Sequence, residues 1–149
     1  MSPQYFKQPD GTTCGPTALM NIQRYFGWKA YSFETLEELT HCVNGEGTPT
    51  TWFVRTLCEM GGRYDFCVWR FKEPLEALAV ELTHPHSIAV VCLKHSKYWP
   101  KGHYFIVSNY DSGIFTCINF GLRLQDVFKE ASETMVWLVQ RSKSGGLPE

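Results

Sequence analysis

The stretch Gln8-Pro-Asp-Gly-Thr-Thr-Cys14-Gly-Pro-Thr-Ala-Leu-Met-Asn-Ile-Gln-Arg-Tyr-Phe26 joins a polar loop to an amphipathic helix. Leu19, Ile22 and Phe26 recur at three- and four-residue steps and Gly27 ends the pattern, as a helix with one apolar face requires. Pro16 is tolerated because it falls in the first turn, where its missing N–H would have had no partner. Working outward, Ser32 caps a second helix over 33–43, closed by Asn44-Gly45. Residues 50–60 form a third, closed by Gly61-Gly62. The first sixty residues therefore read as mostly helical.

Beyond them the period changes. Arg63-Tyr-Asp-Phe-Cys-Val-Trp-Arg70 alternates like a strand, 74–82 is a short helix, and Ser87-Ile-Ala-Val-Val-Cys-Leu93 is a continuous run suited to a buried strand. Strands at 103–108 and 114–118 flank Asn109-Tyr-Asp-Ser-Gly113, whose turn chemistry predicts an antiparallel hairpin. A helix over 124–131 and a last strand over 135–139 complete the order. The expected fold class is α+β, with N-terminal helices packed on a C-terminal antiparallel sheet, in one domain over 1–141 followed by a loose tail over 142–149.

The chain of 149 residues is long enough to bury a single core without staples, and 44% hydrophobic, 19% charged and 15% aromatic residues make it globular rather than disordered. Fourteen basic against fifteen acidic residues, a net charge of -1, leave no field to attract nucleic acid or an anionic bilayer. No apolar run is long enough to span a membrane and the N-terminus lacks a secretory signal, so a cytoplasmic protein is expected, although a secreted effector or phage protein would read alike. The six cysteines lie mostly in apolar stretches and read as reduced, buried thiols. No close Cys pair of a zinc site occurs, so neither metal nor cofactor is expected. Trp28, Trp52, Trp69, Trp99 and Trp137 read as core or cleft lining, and residues 98–102 as a cleft wall or surface loop.

Cys14 differs from the other thiols. It starts a helix, where unpaired N–H groups and the positive end of the dipole stabilise a thiolate, and the polar loop before it would leave the sulfur exposed. Gly15 would let a substrate backbone come close. Acyl transfer at such a thiol needs an oxyanion donor, for which the amide of Gln8, six residues earlier, is placed better than that of Gln4. It also needs a general base near neutrality. His103 follows Gly102 and opens a strand that would hold its ring at a sheet edge facing the first helix. His41, His84, His86 and His95 read as exposed. Asn119 ends the strand paired with that of His103 and can return beside it to orient the imidazole, whereas Asp111 sits at the turn.

The motif Gln8-x5-Cys14-Gly-Pro-Thr-Ala-Leu, the segment Gly102-His103-Tyr-Phe-Ile-Val, and a polar residue sixteen positions after that histidine together resemble the double-glycine leader peptidases, cysteine peptidase family 39. The resemblance runs through nearly the whole chain. It implies a papain-like fold with Cys14 as nucleophile, His103 as base and acid, Gln8 as oxyanion donor and Asn119 as orienter, acting on a peptide or protein substrate. That family commonly carries Asp-Pro at the third position where this chain has Asn119-Phe120; papain itself uses Asn. Two other readings use the same residues: a degenerate module that binds peptides in the old cleft without cutting them, and a thiol-dependent amidase or acyltransferase.

Overall fold

The protein is described by a computed structural model covering residues 5, 13–42, 47–93, 103–112, 114–118 and 134–142. Helix α1 (Cys14–Phe26) buries Leu19 and Ile22 completely, as its period demands. Gly27 takes the left-handed conformation (φ 77°), and Trp28 returns its N–H to the Gln23 carbonyl at 2.8 Å, closing the helix. The buried Gln23 side chain also fastens the connection to the second helix. Its Oε1 accepts the N–H groups of Ala30 (3.0 Å) and Tyr31 (2.9 Å), and its Nε2 donates to the Tyr31 carbonyl (3.0 Å). The connection thus keeps its backbone hydrogen bonds while losing water.

Helix α2 (Phe33–Leu39) starts at Ser32, whose hydroxyl accepts from Thr35 N–H. It stops four residues short of the predicted end. His41 adopts φ 55° and donates to Glu38 O, while Cys42 donates to Glu37 O, the pair of bonds that defines a Schellman stop. A histidine holding a position usually given to glycine is invisible to a rule that looks for Asn-Gly. Helix α3 (Thr50–Gly62) overruns its predicted end by two residues, taking in both Gly61, which is buried, and Gly62. The turn after it, with Asp65 at φ 63°, delays strand β1 to Phe66–Phe71, three residues later than the alternation suggested.

Strand β2 (Ser87–Leu93) is buried throughout, as its unbroken apolar run predicted. Helix α4 (Leu75–Glu81) precedes it, and β3 (His103–Asp111), β4 (Ile114–Ile118) and β5 (Thr134–Arg141) complete one antiparallel sheet of order β1-β5-β2-β3-β4. The hairpin is tighter than expected. Asn109, Tyr110 and Asp111 pair within the ladder, Asp111 opposite Ile114, and Ser112 turns the chain at φ 53°. A bulge between Val107 and Asn109 shifts the register by one residue.

Alternation in β2 and β3 separates two cores. Val90, Cys92, Tyr104 and Ile106 pack under α1, α2 and α3; Ala89, Val91, Phe105 and Val107 pack under Leu78 of α4 and Leu82, the residue that caps it. The α+β class holds, but helices cover both faces rather than one. The predicted helix over 124–131, the segment 98–102, His95 and Trp99 lie outside the described residues. Ser142, where the tail was expected to begin, is tied in: its N–H donates to Asp65 O at 2.6 Å. Among the described residues no helix is long and apolar enough to cross a membrane.

Candidate active site

Cys14 is the first residue of α1, as the sequence implied, but it is not exposed. Only 7% of its surface reaches solvent. The backbone N–H groups of Tyr104 and, less strongly, of Cys14 itself favour its thiolate, while the thiols of Cys92 and Cys42 nearby oppose it. Burial dominates these donors and pushes the thiol up to about 11. The expectation of an exposed, helix-stabilised thiolate is therefore corrected. The dipole effect at a helix end amounts to about 0.3–1 kcal/mol, and desolvation of the charged sulfur outweighs it.

Gly15 also has a different reason from the one the sequence suggested. A Cβ there would lie 2.6 Å from Cβ and 2.8 Å from Cγ2 of Thr48, and closer still to its Oγ1, so glycine admits a loop of this chain, not a substrate. That loop is anchored from the sheet. The Tyr104 hydroxyl donates to the Thr48 carbonyl at 2.8 Å and lies 3.3 Å from Thr50 Oγ1, which is 3.7 Å from Cys92 Sγ. The ring of Tyr104 stacks on Phe53 (centroids 4.2 Å, 23°). Nothing in a one-dimensional pattern drew attention to Thr48, Thr50, Cys92 or Tyr104. The one available signal was the tyrosine following the candidate base.

His103 opens β3, an interior strand between β2 and β4, and pairs with Leu93. Its ring lies beside that of Phe105 (centroids 6.3 Å, 25°), on the strand face that α4 covers. The expected orientation toward the first helix is thus corrected: Tyr104 takes the helix-facing position, and alternation turns its neighbour the other way. What brings Cys14 and His103 together is backbone. The amide that meets the sulfur is two bonds from the His103 Cα. Burial lowers the imidazole to about 4. Gln8 and Asn119 lie outside the described residues.

His41, His84 and His86 are exposed, as read from sequence. His41 stacks on Trp52 at 3.9 Å. All six cysteines are free, and the expectation that they are buried fails for Cys58 and Cys67, which are exposed on the outer side of α3 and on β1. Trp69, expected in core or cleft, is 40% exposed and donates its indole N–H to Gln140.

The two shifts make stability depend on pH at both ends. Between the ordinary histidine value of 6.5 and about 4 the unfolded chain binds a proton at His103 that the native chain does not, so stability falls as pH drops through this window. The loss amounts to up to about 3 kcal/mol over that range. At Cys14 the folded value is the higher one, so stability falls as pH rises from about 9 toward 11. Urea titrations at pH 7, 5 and 4 are expected to show the acid loss in the wild type and a shallower loss in His103→Leu; equal slopes would show that burial of this ring is not the cause.

No family model matches the sequence, and no curated protein matches it. The fold, however, is shared with solved peptidase domains. The structure is similar to the peptidase domain of Streptococcus ComA, a bi-functional ABC transporter involved in a quorum-sensing pathway, with TM-score 0.62 and 18% identity over 94% of this chain and 97% of that one. It is similar too to a double glycine motif protease from an AMS/PCAT transporter, solved in complex with the leader peptide (TM-score 0.62, 11% identity, 93% of this chain and 92% of that one). The peptidase domain of Streptococcus mutans ComA gives 0.56 at 16% identity, over 90% and 97%. The resemblance read from the Gln8, Cys14 and His103 motifs is therefore matched by the fold.

Proposed function

We propose that this protein is a cysteine peptidase that hydrolyses peptide or isopeptide bonds with Cys14 as nucleophile. The observation that carries the reading is the seat of the Cys14 sulfur, at a helix start and against the amide adjoining His103, in a fold shared with peptidase domains. His103 takes the thiol proton as sulfur attacks the carbonyl. The oxyanion is held by the Cys14 N–H and the Gln8 amide, and Asn119 orients the imidazole. His103 then gives its proton to the leaving amine and activates water to release the acid from the thioester. No metal or cofactor enters these steps.

Burial of the thiol favours one alternative, a peptide-binding domain without turnover. A peptidyl chloromethyl ketone ending in Gly-Gly, the motif named for one structural neighbour, separates the two. In the peptidase, sulfur displaces chloride and a single adduct forms at Cys14, and the matching amide substrate is cleaved. An adduct confined to the exposed Cys58 and Cys67, with no cleavage, would leave only the binding reading. Transfer of a trapped acyl group to an added amine, in preference to water, would make the enzyme an acyltransferase.

A further inference from the structure

A closed circuit of contacts surrounds the thiol. The Tyr104 backbone N–H favours the Cys14 thiolate, the Tyr104 hydroxyl donates across 2.8 Å to the Thr48 carbonyl, and the Thr48 side chain lies against Gly15, the residue next to Cys14. Each link joins a different element: α1, β3 and the loop that leads into α3. Thr50 braces the circuit from the start of α3, its Oγ1 lying 3.3 Å from the Tyr104 hydroxyl. Phe53 fixes the plane of the tyrosine ring by stacking on it. Tyr104 is 6% exposed, so these polar links run through low-dielectric surroundings, where a hydrogen bond is stronger and its loss costs more.

We infer that Tyr104 is a positioning residue: its phenol holds the 47–50 loop on the first turn of α1 and so keeps the Cys14 sulfur seated on the Tyr104 amide. This rests on the reading of Cys14 as the nucleophile. The hydroxyl is 56 residues from the carbonyl it binds, and phenylalanine would preserve the stack on Phe53, the strand pairing with Cys92 and the buried apolar volume. The hydroxyl therefore serves the circuit and not the core. Releasing it lets the loop lift from Gly15 and the sulfur leave its amide. A sulfur so freed is more accessible to a small reagent and worse placed for attack on a bound carbonyl, since displacement of a reacting atom by about 1 Å can cost a hundredfold in rate.

The test is Tyr104→Phe, read in two ways. Site-resolved mass spectrometry of the native protein with iodoacetamide is expected to show Cys14 alkylated about tenfold faster than in the wild type. Cys117, which packs in the other core, should keep its wild-type rate and so exclude general loosening. With the Gly-Gly amide substrate, kcat is expected to fall about tenfold while KM stays within twofold. Thr50→Val, which keeps the Tyr104 bond to Thr48, is expected to move both readouts the same way by about threefold and serves if Tyr104→Phe does not fold. Wild-type rates of Cys14 alkylation in the folded variants would overturn the inference. If the wild type cleaves nothing, the peptidase reading falls, while the alkylation rates still decide whether Tyr104 seats the sulfur.

Discussion

Cys14→Ala and His103→Ala are each expected to lower peptide hydrolysis by at least about a thousandfold, with the double variant little worse than either single one. The two groups are both neutral at pH 7, the thiol at about 11 and the imidazole at about 4. Moving a proton between them as they stand costs on the order of 10 kcal/mol. Contact returns part of this cost, because imidazolium and thiolate attract strongly in a site shielded from water. The rest must come from groups that favour the charged pair, the task assigned to Asn119, and from the Gln8 amide on the oxyanion that the attack creates. Gln8→Ala is accordingly expected to lower kcat by about a hundred- to a thousandfold, and Asn119→Ala by less. Cleavage of the Gly-Gly amide substrate checks all four. Full activity in Cys14→Ala, in an assay that His103→Ala abolishes, would sink the scheme, because it would leave the base without its nucleophile.

Gly15→Ala is expected to be the most damaging single methyl group that can be added near the site. On helix propensity alone alanine should gain about 1 kcal/mol. Against this stands a Cβ forced to within 2.6 Å of Thr48 Cβ, a contact that neither a helix backbone nor a tethered loop yields to easily. Overpacking of this kind costs about 1–3 kcal/mol, and the loop is bound from behind by Tyr104, so a net loss of about 1 kcal/mol and a fall in Tm of roughly 2–4 °C are expected. Activity should fall further than stability, since the displaced loop packs directly beside Cys14. Thr48→Gly is the matched partner. The Thr48 hydroxyl is buried and has no hydrogen-bond partner among the described residues, so its removal forfeits little, and the double variant should recover most of the lost Tm. Additive losses would show that Gly15 is required for some reason other than Thr48.

The contrast between these two glycine explanations shows where sequence reading stops. From Cys14-Gly-Pro alone, Gly15 read as room for a substrate. The side chain that fills the room belongs to Thr48, held there by the Tyr104 hydroxyl on its carbonyl. The same separation explains Tyr104: its partners Thr48 and Thr50 precede it by more than fifty residues, and no period links them.

What the sequence determined by itself was decided over a few residues. The apolar period placed α1 with Cys14 at its start, the unbroken run Ser87–Leu93 was read to the residue as β2, and turn residues announced the β3–β4 hairpin. The spacing of Gln8, Cys14 and His103 pointed to the fold that solved peptidase domains share with this chain at 18% and 11% identity. Tertiary structure alone decided the rest: that Cys14 is buried and its thiol raised, that His103 turns to the face of Phe105 while its neighbour's amide meets the sulfur, and that Tyr104 ties strand, loop and helix together. The physical reason is that burial and hydrogen bonding are properties of neighbours in space. A helix start favours a thiolate locally, and only the packed fold determines whether water is there to support the charge.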